Sequence, residues 1–112
     1  MSLQKEALEM ILDFREARDW KQFHDLKNLA IALNLEAAEV LELFLWTKDN
    51  SLQLGKKAQL KDELADVYHW LLLLAHDADI DLDTALIEKI KKNAEKYPVE
   101  KSKGNSSKYT EL

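Results

Sequence analysis

The chain has no cysteine, one proline and two glycines in 112 residues, and no apolar run approaching the length of a membrane span. Each scarcity closes a class. Without cysteine there are no disulfides, no zinc-thiolate sites and no thiol nucleophile, a composition suited to a reducing compartment. With so little glycine and proline, the chain lacks the turn chemistry of an all-β fold and the glycine-rich loops that cradle phosphates in many nucleotide-binding proteins. The N-terminal MSLQKEALEM has no basic segment leading into an apolar stretch, so the chain reads as cytoplasmic, with no membrane partner. Acids outnumber bases, 21 to 16. A net charge of −5 argues against non-specific binding to nucleic acid, yet still allows a nucleotide held through a metal ion.

What remains is Leu, Ala, Glu, Lys and Asp, with 46% hydrophobic and 33% charged residues, enough for one all-α domain with a single core. Leu3, Ala7, Met10, Ile11 and Phe14 recur at helical spacing and predict a first helix over 2–18. Asp25 is suited to cap a second helix reaching Trp46, after which TKDNS supplies turn formers. The third helix is expected from Gly55 or Lys56 to about Ala78. Asp81 or Asp83 then caps a fourth that stops at Tyr97, because Pro98 cannot continue it. The expected architecture is a four-helix bundle over 1–97 with an extended, polar C-terminal tail over 98–112.

The second helix is apolar on more than one side. Leu26, Leu29, Leu33, Ala37, Val40 and Phe44 form one stripe, and Ile31, Leu35, Ala38 and Leu45 lie roughly opposite. A helix so patterned is buried twice, which in a small chain points to a homo-oligomer.

That same helix carries NLEAAEVLELFLW, with acids at Glu36, Glu39 and Glu42. Glu36 borders the main apolar stripe, Glu39 stands one step round, and Glu42 falls on the far side as a solvent acid. KDELADVYHWLLLLAHD repeats the theme: Glu63 shares its face with Leu60, Val67, Trp70, Leu71 and Leu74, and Asp66 flanks it one turn on. An ionised carboxylate on such a face needs a cation or several donors in place of water. Two pairs at i, i+3 on facing helices would surround one point with oxygen ligands, a cage for a hard divalent ion such as Mg²⁺, or Mn²⁺.

E-x-x-E at Glu36 and Glu39 followed by E-x-x-D at Glu63 and Asp66, with FREARDWKQFH before, ELFLW closing the second helix and KNAEKYPVEKSKGNSSKYTEL at the end, resembles the all-α NTP pyrophosphohydrolases of the MazG and dimeric dUTPase superfamily, in their dCTP pyrophosphatase branch. The resemblance runs from Phe14 to Leu112, except for the connector from Lys48 to Lys61. It implies Mg²⁺ held by Glu36, Glu39, Glu63 and Asp66, and cleavage of a deoxynucleoside triphosphate between its α and β phosphates. The products would be a monophosphate and pyrophosphate, in nucleotide-pool sanitation. A glutamate would act as general base, Glu39 ahead of Glu36, because Glu39 lies further from the apolar centre. By position the base pocket would comprise Trp20, His24 and Trp46, with Trp70 and Phe23 as additions and Asn28 as a polar contact. Phosphate contacts would come from Lys89 and Asn93, with Lys96 on the same side of the fourth helix, and from Lys103 and Lys108 in the tail. Family precedent favours a tetramer over a dimer and a pyrimidine such as dCTP, natural or modified, as substrate.

Three other readings compete. A carboxylate-bridged di-iron bundle wants Glu-x-x-His on two helices, and only Asp66-x-x-His69 comes near it. A non-enzymatic helical interaction module would use the acids as structural ion pairs, and leaves unexplained why two acid pairs coincide with an aromatic cluster. Paired His-Asp steps at His24-Asp25 and His76-Asp77 lack the further partners a phosphohydrolase of that kind needs.

Overall fold

The computed structural model describes residues 2–112, and among them there are helices and turns but no strand. Helix α1 spans Leu3–Ala17, α2 Leu26–Glu42, α3 Lys57–Asp77 and α4 Leu82–Lys96, followed by a short α5 at Val99–Ser102. The chain divides into two compact units, one ending at Asp79 and the other running from Ile80 to Leu112. None of the helices is long and apolar enough to cross a membrane.

Local chemistry sets the helix ends. The Ser2 hydroxyl accepts the Lys5 N–H at 3.2 Å, the Asp25 carboxylate accepts that of Asn28 at 2.7 Å, and Asp81 accepts that of Thr84 at 3.2 Å. Each of these polar side chains satisfies an amide that the helix itself leaves unpaired. Asp81, not Asp83, is therefore the cap of α4. At the far end of α1, Asp19 adopts a left-handed backbone with φ 54°, a conformation that Asp tolerates better than most residues. The chain reverses there, and the Trp20 N–H returns to the Arg15 carbonyl at 3.1 Å while that of Asp19 returns to Glu16 at 3.0 Å.

Helix α2 stops at Glu42, a turn short of the expected Trp46. The cause lies in the connector. Gln53 folds back, its N–H meeting the Leu43 carbonyl at 2.9 Å and its side-chain amide donating to the carbonyls of Glu42 and Leu45 at 3.1 and 2.8 Å. These contacts satisfy the orphan carbonyls of a helix end in place of another helical turn, and residues 43–46 become turn.

The first unit is built around the packing of α2 on α3, with α1 also laid against α3. Leu29 and Leu73 are fully buried, and Leu72 and Ala75 nearly so. Burial of a leucine stabilises by about 1.5–3 kcal/mol, so these few side chains anchor the helix pair. Leu33 and Val40 of the main α2 stripe are half-buried, whereas Leu26 at its start is 49% exposed. The opposite side of α2 remains open to solvent in the single chain: Ile31, Leu35 and Ala38 are exposed, as is Leu45 beyond the helix end.

In the second unit α4 ends at Lys96, with Tyr97 and Pro98 beyond it. The segment after Pro98 is not extended throughout, for α5 and a 3₁₀ turn at Tyr109–Glu111 interrupt it. Tyr109 packs edge-on against Tyr97 at 6.0 Å and receives the Lys96 ammonium over its ring at 4.9 Å. Truncating Leu29 or Leu73 to alanine is expected to cost about 2–5 kcal/mol of unfolding free energy, measured by chemical denaturation. A loss within about 1 kcal/mol at both positions would mean that the α2 and α3 contact is not what holds this unit together.

Candidate active site

The packing of α2 on α3 brings three acids to one point. One carboxylate oxygen from each of Glu36, Glu39 and Glu63 lies within 4.8 Å of the other two. Glu39 is exposed and the other two are half-buried. Oε2 of Glu36 and Oε2 of Glu63 are buried without a hydrogen-bond partner, an arrangement that costs free energy unless a donor or a cation meets them. Crowding also changes the proton affinity of the acids. The Glu63 carboxyl is pushed up to about 7, first by a hydrogen bond shared with Glu39, then by desolvation and the charges of Glu39, Glu36 and Asp66. Glu36 is raised as well, chiefly by burial and then by its hydrogen bond with Glu39. A divalent cation would relieve all of this. The oxygen-only donor set and the two orphaned oxygens fit a hard metal ion.

Asp66 stands outside the close trio, but its charge is felt at both Glu36 and Glu63 and its side chain lines the adjoining cavity. That cavity has a volume of about 500 Å³, within the size range of small-molecule sites. Met10, Ile11, Phe14 and Arg15 of α1 form one wall, and Trp20 and His24 come from the segment that follows. Glu36 enters from α2. Asp66, His69, Trp70 and Leu73 complete the lining from α3.

The reversal at Asp19 places Trp20 edge-on to Phe14, with ring centroids 5.7 Å apart. A 3₁₀ turn over Lys21–Phe23 then delivers His24, whose N–H bonds the Lys21 carbonyl at 3.0 Å and whose ring meets Trp70 edge-on at 5.6 Å. His69 lies 5.1 Å from Trp70 and 6.3 Å from Phe14. Burial lowers the proton affinity of both histidines, helped at His24 by the nearby Arg15 charge. Arg15 is itself buried, at 5% exposure, and grips Asp77 with both ends of its guanidinium at 2.7 and 2.9 Å. Those hydrogen bonds hold the Asp77 carboxyl below the usual carboxylate range.

Of the residues expected from sequence, Glu36, Glu39 and Glu63 meet directly, and Asp66, Trp20, His24 and Trp70 line the cavity beside them. Three expected base contacts do not join them in the single chain. The Asn28 amide donates to the Phe23 carbonyl and the Asp25 carboxylate, both at 3.3 Å, reinforcing the α2 cap. Trp46 follows the early end of α2, has φ 67° and is 96% exposed. Phe23 also stays outside the lining, at 63% exposure. Lys89, Asn93 and Lys96 lie on α4, and Lys103 and Lys108 lie beyond it; all are exposed members of the second unit. The sequence reading passed over Arg15, and weighed His69 and Asp77 only within the competing di-iron and His-Asp readings. The signal for Arg15 was its place four residues after Ile11, in line with the apolar stripe of α1.

The sequence profile of the MazG-like family matches residues 31–112. The chain is 41% identical over 105 residues to dCTP pyrophosphatase 1 of Rattus norvegicus and 38% identical over 105 residues to dCTP pyrophosphatase 1 of Homo sapiens. Both alignments cover 89% of this chain and 62% of the relative, so the chain spans less than two thirds of these mammalian proteins. A pyrophosphatase of known crystal structure from Archaeoglobus fulgidus superimposes with a TM-score of 0.82 and 35% identity, covering 88% of this chain and 94% of that one.

The crowded acids make a pH prediction for the metal-free chain. Glu63 binds its proton more tightly folded than unfolded, so its contribution favours the folded state in acid and is lost as pH rises from about 4.5 through about 7. Thermal melts in chelator are expected to show stability falling over that range, and the fall should be shallower in Glu63→Gln, where only Glu36 remains raised, and absent in wild type supplied with Mg²⁺. Equal pH slopes for wild type and Glu63→Gln would exclude the crowding.

Proposed function

This chain belongs to the MazG-like family, and from that premise we propose that it is a Mg²⁺-dependent nucleoside triphosphate pyrophosphohydrolase acting on deoxynucleotides, foremost dCTP or a modified pyrimidine relative. The observation that carries the reading is the acid trio, with its two orphaned carboxylate oxygens, beside an aromatic-lined cavity. A structural ion-pair module has no use for this arrangement, since no lysine or arginine pairs with these acids among the described ion pairs.

Glu36, Glu39, Glu63 and Asp66 would hold the metal. When bound, Mg²⁺ would invert the local potential so that a polyanion is accepted, neutralise charge developing on the phosphorus oxygens and make water more acidic. Glu39 is the most exposed acid of the trio, and we assign its carboxylate to take the proton from the attacking water, with Glu36 as the alternative. The new P–O bond forms at the α phosphorus as the bridge to the β phosphate breaks, releasing the monophosphate and pyrophosphate. Trp20, His24 and Trp70 would hold the base, because flat rings and a single polar edge suit a nucleobase that must also be kept from water. The phosphate role stays with Lys89, Asn93, Lys96, Lys103 and Lys108 on sequence resemblance alone.

We also infer a homo-oligomer, a tetramer ahead of a dimer. Ile31, Leu35, Leu45 and Trp46 are apolar, exposed and clustered in one stretch of chain, which supports their burial by another subunit. In that assembly Trp46 would be available to a neighbouring subunit's cavity.

Incubation with each dNTP and Mg²⁺ is expected to yield the corresponding dNMP and pyrophosphate, with dCTP or a modified pyrimidine preferred. Orthophosphate with a diphosphate, or no turnover of any nucleotide, would sink the reading. Glu63→Gln should reduce turnover by at least about a hundredfold while remaining folded, since even outer-shell changes at metal sites reach that size. Light scattering coupled to size exclusion should give a mass several times that of one chain; a single-chain mass at micromolar concentration would remove the oligomer.

A further inference from the structure

Arg15 lines the cavity, and Asp77 is its ion-pair partner. Their side chains are 6% and 8% exposed, and the two hydrogen bonds between them occupy Nη1 and Nη2 of the arginine. Nη1 also lies 3.5 Å from Nδ1 of His24, a residue of the cavity wall. A guanidinium has only donors and keeps its charge in proteins, so the histidine nitrogen that faces it must be the one bearing a lone pair. A proton on Nδ1 would set two donors against each other next to a positive charge. Burial and that same charge favour the neutral ring, whose one N–H then resides on Nε2.

We propose that Arg15 and Asp77 are positioning residues that lock His24 in the Nε2–H tautomer, so that at this place in the cavity wall the imidazole offers a donor, and not an acceptor, to the edge of the base. Asp77 fixes the guanidinium, and the guanidinium fixes the ring. The backbone carbonyl at this same position receives the Trp20 N–H at 3.1 Å, a contact independent of the arginine side chain. A donor at this place matches a ring carbonyl or an unprotonated ring nitrogen, and is mismatched to an exocyclic amino group, which would leave both groups unpaired. Lys21, 70% exposed and 4.0 Å from Asp77, contributes only at the rim. The ligand half of this inference rests on the proposed nucleotide reading; the tautomer does not.

The test has two readouts on the full chain. Nitrogen-15 NMR of the imidazoles, without metal or nucleotide, should show His24 of the wild type in the Nε2–H form at neutral pH. The double variant Arg15→Met with Asp77→Leu removes both charges together and so leaves neither buried alone. It should show mixed tautomers at His24 and an increase of about tenfold in KM for dCTP, with kcat changed by less than about twofold, as expected for one lost binding contact. Arg15→Lys, which keeps the charge but not the fork, should fall between and serves if the double variant does not fold. A wild-type His24 that is protonated on Nδ1, alone or in the imidazolium, would overturn the lock. A changed tautomer with unchanged KM would overturn its part in recognition. The expected tautomer in a wild type inert to every nucleotide would overturn the nucleotide reading and the base-edge role, while leaving the lock in place.

Discussion

Three carboxylates that repel one another are held together by hydrocarbon. Glu36 and Glu39 share a face of α2, Glu63 comes from α3, and the two helices are joined through Leu29, Leu72, Leu73 and their neighbours. The apolar contact supplies the free energy that keeps the acids within 4.8 Å of one another, and the acids oppose it whenever they are all ionised. That opposition is stored where a cation can release it. A metal held there would couple its affinity to the stability of the helix pair, because ligands positioned by the fold bind only in the folded state.

The other half of the site depends on backbone geometry near one residue. Arg15 closes α1, accepts the returning N–H of Trp20, grips Asp77 at the end of α3 and approaches His24. A buried arginine is expensive to desolvate, and here two hydrogen bonds to a carboxylate compensate that cost. It contributes chiefly geometry, since an apolar pair of similar volume would fill the space with less risk of an unpaired charge. The direction of two cavity rings follows from it.

The acid pairs were legible before any coordinates because helical periodicity converts spacing directly into shared faces. The same holds for the caps at Ser2, Asp25 and Asp81, where a short polar side chain precedes an apolar-periodic run. The end of α2 was less legible. Phe44, Leu45 and Trp46 continue the helical pattern, yet Gln53, far along an irregular connector, meets the carbonyls that another turn would have used. Trp46 belongs to the pocket wall by resemblance alone, and in the single chain it faces solvent instead. Asn28 reads as a polar pocket group by resemblance, while its amide is committed to the cap three residues before it.

By itself, then, the sequence determined the helical class, the caps and the two acid pairs, because each depends on residues within a turn or two of one another. Only the tertiary structure decided which acids meet, that Asp66 stands at the edge of the trio, and that Arg15 and Asp77, 62 residues apart in the chain, form one buried unit beside His24. Local spacing fixes the face on which a side chain lies. What that face meets is settled by packing, since the alignment of α1 and α2 on α3 depends on how the whole set of apolar side chains interdigitates and on no single motif.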